Sequence, residues 1–175
     1  MIIYQNLKPK KIHEDLLDGF IRNQTTYRVK YLEDGVLKEK EDQFTENWNQ
    51  SRLREISNGM KNIVLKGGKL IVAKKKGKVI GFACLENEMF NDGYLNLDII
   101  QVSKPYRRQG IGKQLFLLIE KEAKKLKAKK LYISGHPNIH TQAFYKKMGC
   151  VLAKQINQEL YENEPLDIHL EKELK

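Results

Sequence analysis

The sequence lacks the features that mark membrane-spanning, secreted and disulfide-stabilised proteins. No window approaches about 18 consecutive apolar residues, and residues 1–5 are not a basic region followed by an apolar core. Neither a membrane span nor a secretory signal is therefore predicted. The only cysteines are Cys84 and Cys150, and both lie in apolar, strand-like runs. We expect buried free thiols in a cytoplasmic protein rather than a disulfide.

Signs of a metal site or of several domains are missing as well. The four histidines show no ligand spacing, so no metal is predicted. The chain contains no internal repeat and no linker with a break in composition. Its 175 residues suffice for one domain with an adequate core. We predict a single domain over residues 1–175.

Positive charge, in contrast, is plentiful and unevenly placed. The formal net charge is +10, and residues 104–147 contain 12 Lys and Arg residues against two Glu. Such a block raises the question of nucleic acid. However, the lysines of residues 121–130 have no aromatic residues between them on which bases could stack. A solvated helix face is favoured, and nucleic acid is not expected as a partner.

The most informative segment is Val-Ser-Lys-Pro-Tyr-Arg-Arg-Gln-Gly-Ile-Gly, residues 102–112. An apolar run ends there, and two glycines open a long amphipathic pattern, which predicts a strand, a turn and a helix N-terminus. The free N–H groups of such a terminus attract phosphate. Arg107, Arg108 and Lys113 add cations around them. We expect this loop to bind an anion.

Two common phosphate-binding loops are excluded by spacing. A P-loop requires glycine where Arg107 stands and Ser or Thr where Gln114 stands. The dinucleotide fingerprint requires a third glycine where Leu115 stands.

The residues that remain, Arg107 to Gly112, resemble the acyl-CoA loop of the GNAT N-acetyltransferase superfamily: Arg or Gln, two variable residues, Gly, one residue, then Gly or Ala. Val102 also stands where family members place a valine, five residues before the arginine. A second segment, Asn138 to Cys150, resembles the other GNAT signature, with Phe144-Tyr145 as its aromatic pair. Thr141 replaces the usual Ala or Ser, and Cys150 stands where Phe is common. The two signatures span residues 95–150.

The hydrophobic pattern predicts an α/β order with a mainly antiparallel sheet. The resemblance implies the GNAT acyl-CoA N-acyltransferase fold, a central mixed, mainly antiparallel twisted sheet flanked by helices. The predicted strands are Ile2–Tyr4, 69–73 and 79–86 around a Lys76-Gly77 turn, 94–102, 130–134, 151–153 and 166–170. The predicted helices are Ile12–Ile21, a segment from Phe44 to Met60, and 110–127, whereas residues 22–42 read as irregular around an Asp34-Gly35 turn.

The resemblance implies transfer of an acetyl group from acetyl-CoA to an amine by direct attack in a ternary complex. Pantetheine would enter between two splayed parallel strands and pair with the backbone of Ile100, Gln101 and Val102. The diphosphate would be wrapped by residues 107–113, which are Arg107, Arg108, Gln109, Gly110, Ile111, Gly112 and Lys113. Asn138 would contact the cofactor arm, or cap the helix that begins there.

Two residues are predicted to be catalytic. Tyr145 matches the family tyrosine that faces the CoA sulfur, where a phenol can protonate the leaving thiolate; the alternative is a core aromatic. Asp98 is the predicted general base. The resemblance implies a carboxylate base four or six residues before the valine, at the positions of Asp98 and Asn96, and strand alternation would place both on the face of Val102. Asp98 could instead orient the substrate or join a salt bridge, and Glu86 and Glu88 are reserve candidates for the base.

The acceptor is not specified by the sequence. Residues 22–65 are the predicted acceptor region, and their acidic and aromatic side chains suit a cationic small-molecule amine or form only a solvated loop. Acetylation of protein lysines or N-termini is an alternative, as is a non-catalytic CoA-binding or nucleic-acid-binding protein. Many relatives form homodimers, although no exposed apolar stripe identifies an interface here.

Overall fold

The computed structural model describes residues 1–175 and contains nine strands and four α-helices. The strands are β1 Ile3–Asn6, β2 Asn23–Glu33, β3 Val36–Asn47, β4 Lys69–Lys75, β5 Lys78–Leu85, β6 Tyr94–Val102, β7 Lys130–Gly135, β8 Val151–Leu152 and β9 Ile168–Glu173. The helices are α1 Gln50–Leu65, α2 Ile111–Lys125, α3 Ile139–Lys147 and α4 Gln158–Asn163. None of the helices is both long enough and apolar enough to cross a membrane.

Seven strands form one sheet in the order β1-β4-β5-β6-β7-β9-β8. All neighbours are antiparallel except β6 and β7, which run parallel. The mixed, mainly antiparallel sheet flanked by helices confirms the predicted fold class. The β6–β7 ladder has only three rungs, the last joining Asn96 and Tyr132. Beyond it the two strands diverge, and a gap opens at their carboxyl ends.

Each face of the sheet is covered by its own apolar core. Helix α2 packs on one face through Ile111, Leu115, Ile119 and Ala123, which are spaced four residues apart and are fully buried. Helix α1 covers the other face together with the N-terminal segment. Its buried residues are Leu53, Ile56, Ser57 and Met60.

Strands β2 and β3 form a separate hairpin, and this corrects two predictions. Residues 22–42 are not irregular, and β3 continues through Phe44, so α1 begins only at Gln50. The predicted Asp34-Gly35 turn is confirmed, and positive φ at both residues fits a two-residue hairpin turn. Much of β3 is exposed and polar, so no apolar alternation marked it as a strand.

The predicted helix Ile12–Ile21 is also wrong. After a short 3-10 helix at Pro9–Lys11 the segment consists of turns. Its spacing reflects Ile12, Leu17 and Phe20, which are buried against the α1 side of the sheet. Gly19 interrupts the segment with a φ of 83°. The remaining predicted strands and the helix that became α2 are confirmed to within three residues at their ends.

Candidate active site

The gap between β6 and β7 presents backbone groups of β6 that are not paired with another strand. The N–H of Ser103 donates to the carbonyl of Ile80 (2.9 Å). Because peptide groups alternate along a strand, those of Ile100 and Val102 point the other way, into the gap. Gln101, the third residue predicted to bind pantetheine, directs its peptide groups toward β5, where it faces Phe82. Two of the three predicted residues thus offer backbone groups to a ligand in the gap.

The loop after β6 ends in a row of free backbone amides. The N–H groups of residues 108–113 have no hydrogen-bond partner, and the first paired amide is that of Gln114, which donates to the carbonyl of Gly110 (3.0 Å). Gly110 is the N-cap of α2 and lacks a side chain that could cap the amides. Six successive free N–H groups at a helix N-terminus form a site suited to phosphate.

The predicted cofactor side chains of this loop differ in their surroundings. Arg108 and Lys113 are exposed beside the free amides, and Gln109 donates to the carbonyl of Pro105 (3.4 Å). Arg107 is half-buried and turns back toward the strand, where its Nε donates to the carbonyl of Val102 (3.0 Å). The Arg107 side chain therefore already occupies one of the backbone acceptors in the gap.

Tyr145 lies against the β7 side of the gap. The tyrosine is 6% exposed, and its hydroxyl has no hydrogen-bond partner in the protein. Its ring packs so close to the end of β7 that a Cβ at Gly135 would lie 3.2 Å from Cε2. Burial raises the pKa of the phenol, and the nearby Cys150 and Asp167 raise it further. Tyr145 is therefore protonated at neutral pH and can donate a proton.

Asn138 caps α3, which is one of its two predicted roles. Its Oδ1 accepts the N–H of His140 (2.8 Å), and its Nδ2 donates to Oγ1 of Thr26 (2.9 Å) in the hairpin. The residue is 3% exposed. In this conformation both polar atoms of its side chain are engaged within the protein, and contact with a cofactor stays a prediction.

The alternation used to place Asp98 fails because β6 has a bulge at this residue. Leu97 pairs with Leu85 and Ile99 pairs with Cys84, so Asp98 has no partner. Leu97 and Val102 both contact the α2 core, which shows that the alternation shifts by one residue between them. Asp98 and Asn96 therefore do not share the face of Val102. They lie on the opposite face, away from α2.

On that face Asp98 belongs to a cluster of acidic side chains. Nδ2 of Asn96 donates to Oε1 of Glu86 (3.3 Å). Desolvation raises the pKa of Asp98, and a hydrogen bond with Glu86 lowers it in part. Desolvation also raises the pKa of Glu86, and the charges of Asp98, Glu88 and Glu159 raise it further. Asp98 is nevertheless exposed, so this carboxyl can reach a ligand and accept a proton.

Three side chains near the gap were not singled out by the sequence. Arg22 is 4% exposed and lies over the ring of Trp48 (5.5 Å). Glu46 accepts from Arg22 (3.5 Å) and from Nε2 of His136 (2.8 Å), which follows β7. The inward alternation of Phe44, Glu46 and Trp48 was the one available signal of this arrangement.

Comparison with known proteins agrees with this geometry. Residues 34–150 match the family model of the acetyltransferase (GNAT) family. No curated protein matches the chain. A nourseothricin acetyltransferase has a TM-score of 0.73 at 18% identity, over 99% of both chains. A protein from Bacillus anthracis str. Ames, provisionally assigned as a streptothricin acetyltransferase and solved with acetyl coenzyme A, has a TM-score of 0.76 at 17% identity, over 100% of this chain and 99% of that one.

An aminoglycoside 6'-N-acetyltransferase solved with coenzyme A is a more distant neighbour. Its TM-score is 0.55 at 17% identity, over 70% of this chain and 80% of that one. At such identities these structures support the fold, whereas the family match covers about two thirds of the chain and includes the loop of free amides. The chain therefore belongs to the acetyltransferase (GNAT) family and is an acyltransferase.

Proposed function

We propose that this protein transfers the acetyl group of acetyl-CoA to a primary amine of a small molecule, by direct attack in a ternary complex. Acetyl-CoA is the donor that accompanies membership of the family. The proposal rests on one observation: the open gap beside β6 is followed directly by the six free amides of residues 108–113. Together they match a ligand with an extended amide-containing arm and a diphosphate.

The cofactor arm would lie along β6. Pantetheine amides would pair with the backbone groups of Ile100 and Val102 that face the gap, in the manner of an added strand. The diphosphate would accept hydrogen bonds from the amides of residues 108–113, with Arg108 and Lys113 adding charge. The thioester carbonyl would then lie near the N–H groups of β6, which can stabilise its developing negative charge.

Proton transfers would be divided between two side chains. A lysine-like amine with a pKa of about 10.4 costs about 4 to 5 kcal/mol to deprotonate at pH 7. Asp98 would accept this proton first, because only the neutral amine has a lone pair with which to attack the thioester carbon. The C–S bond then breaks, and Tyr145 would protonate the leaving thiolate, since its hydroxyl has no other partner. The second proton lost by the nitrogen would return to the tyrosinate through solvent. Glu86 is the reserve candidate for the base.

The acidic cluster on the Asp98 face supports a cationic acceptor. Glu88, Asp98 and Glu159 are close enough to Glu86 to raise its pKa, although the whole chain has a net charge of +10. Local negative charge in a basic protein favours binding of an ammonium group. Nourseothricin and aminoglycoside acetyltransferases are among the fold neighbours, which agrees with a small-molecule acceptor. Both cysteines are free and buried, which supports a cytoplasmic location.

An amine panel with acetyl-CoA, followed through release of free thiol, tests this function. The panel contains a streptothricin, an aminoglycoside, spermidine and a lysine-containing peptide, and thiol release without any amine is the baseline. We expect release above the baseline with at least one of the small-molecule amines. Release with the peptide alone would instead indicate a protein acetyltransferase. Baseline release with every amine would contradict the proposal.

A further inference from the structure

Arg22 is a buried cation that uses few of its donors. Its Nε and Nη1 atoms are buried and have no hydrogen-bond partner. Only Nη2 is paired, with Oε2 of Glu46 at 3.5 Å. The same oxygen lies 2.8 Å from Nε2 of His136, so Glu46 is shared between two donors. Unpaired N–H groups of a buried guanidinium destabilise the fold unless something accepts them.

Arg107 approaches Arg22 from the loop that follows β6. The backbone next to Arg22 is fixed to the end of β6, because the N–H of Ile21 donates to Oγ of Ser103 (2.9 Å). The side chain of Arg107 folds onto the neighbouring Val102. Its Nη2 is buried without a partner, and no carboxylate pairs with it. Besides desolvation, the positive charge of Arg22 lowers the pKa of Arg107.

The two neighbouring guanidinium groups leave three buried nitrogen atoms without a hydrogen-bond acceptor. Like charges repel each other, and their burial adds a desolvation penalty that a single shared carboxylate offsets only in part. An oxyanion between them would satisfy the free N–H groups and remove the repulsion. Planar guanidinium groups are well suited to bind carboxylate or phosphate oxygens.

We propose that Arg22 and Arg107 together bind a diphosphate oxygen of coenzyme A, which makes Arg22 a cofactor-binding residue from outside the loop of free amides. This inference rests on the function proposed above. Phosphate is favoured over an acceptor carboxylate because Arg107 directly precedes the six free amides of residues 108–113. The acidic cluster at Glu86 and Asp98 lies farther back along the sheet.

In this structure the Arg107 side chain is held at the carbonyl of Val102. The free nitrogens of Arg22 do not reach solvent, so a ligand would contact them only after a neighbouring side chain moves, and we assign that movement to Arg107. The carbonyl of Val102 is the group that a pantetheine amide would use. Pantetheine would thus replace Arg107 at this carbonyl, and the released side chain would turn toward the diphosphate together with Arg22.

Calorimetric titration with CoA, with dephospho-CoA and, by NMR, with pantetheine tests the proposal. We expect Arg22→Gln to weaken CoA and dephospho-CoA at least tenfold and to change pantetheine affinity less than twofold. The Kd for CoA should also depend less steeply on salt in this variant, because one ionic contact is lost. Arg28→Gln is the matched control. Arg28 lies in β2, which begins directly after Arg22, and has the exposed partners Glu39 and Glu41; its loss should change CoA affinity less than twofold.

Thermal unfolding shows whether Arg22→Gln is folded. If it is not, Arg22→Lys and Arg107→Ala replace it; both should weaken CoA, and neither should weaken pantetheine. Equal losses for CoA and pantetheine would overturn the proposal, as would unchanged CoA affinity. An unchanged CoA affinity with a raised KM for the acceptor amine would assign the arginines to an acceptor carboxylate and would also overturn it. A wild-type protein that does not bind CoA at all contradicts the proposed function itself.

Discussion

Asn96 and Glu86 are joined by a side-chain hydrogen bond (3.3 Å) at the point where β6 and β7 separate. Asp98 lies beside this pair and raises the pKa of Glu86. If Asp98 is the general base, its carboxylate must accept a proton, which the amide of Asn cannot do. We therefore expect Asp98→Asn to lower kcat/KM by roughly a hundredfold or more. A pH–rate profile of the variant is the measurement. Retained activity whose acid limb moves to lower pH would identify Glu86 as the base, because removing the Asp98 charge lowers the pKa of Glu86.

The same substitution should stabilise the protein at neutral pH. Desolvation raises the pKa of Asp98 in the folded state, so this carboxyl favours folding when protonated. That contribution is fully present below the unfolded pKa and is lost as the pH rises through the folded pKa. Asp98→Asn should therefore melt at a higher temperature than the wild type at pH 7. The difference should shrink toward pH 3. A lower melting temperature at pH 7 would indicate a native salt bridge instead.

Tyr145→Phe should separate proton donation from packing. The hydroxyl has no partner in the protein, so its removal should change the free energy of unfolding by less than about 0.5 kcal/mol. Turnover should fall at least tenfold, because the thiolate loses its acid, whereas the acetyl-CoA affinity should change little. Steady-state rates and calorimetry on the same preparation measure both quantities. Unchanged turnover would restrict Tyr145 to packing.

Short-range patterns predicted the backbone of the segment that joins β6 to α2 well. The residue types in the 102–112 segment predicted the end of the strand, the turn and the start of α2, because each of these boundaries depends on nearby residues such as Gly110. The same reasoning failed at Asp98, since one inserted residue in a strand reverses every side chain beyond it. No local signal in β6 marks that bulge, which appears only in the pairing with β5.

The hairpin in the predicted acceptor region was less predictable for a different reason. Strands β2 and β3 face solvent over much of their length and are held by pairs such as Lys30–Glu39 (2.6 Å). Their sequence therefore carries no apolar alternation. The contact of Asn138 with Thr26 joins residues 112 positions apart, and the approach of Arg22 to Arg107 is similarly distant in sequence. Such contacts follow from topology and cannot be obtained from residue spacing.

The two loop glycines should respond differently to alanine. Gly110 has a φ of 78°, so Gly110→Ala should cost about 1–2 kcal/mol of stability in addition to weakening CoA binding. Gly112 has no such backbone constraint, and a Cβ there would lie in ordinary contact with Phe144 (3.5 Å). Gly112→Ala should keep both the stability and the CoA affinity, because the acyl-CoA loop of the family has Gly or Ala at this position. Chemical denaturation and calorimetry measure the two effects.

An exposed helical glycine provides the control for this comparison. Gly59 in α1 has open space at its Cβ position. Gly59→Ala should stabilise the protein by about 0.4–1 kcal/mol and leave CoA affinity unchanged. If Gly110→Ala binds CoA as tightly as the wild type does, the diphosphate does not approach the start of α2.

Asn138 should prove to be a link between helix and hairpin as well as a cap. Asn138→Ala removes the cap of α3 and leaves the buried Thr26 hydroxyl unpaired, so it should cost roughly 2 kcal/mol or more. Asn49→Ala, which removes only the cap of α1 at Arg52, should cost about 1 kcal/mol. Thr26→Val should cost about as much as the difference between these two stability losses, because it breaks the hairpin contact and leaves the cap of α3 in place.

Calorimetry with CoA on all three variants then tests the predicted cofactor role of Asn138. Weaker binding in Asn138→Ala alone would place the cofactor arm at this side chain, and equal binding in all three would limit Asn138 to holding α3 and the hairpin together.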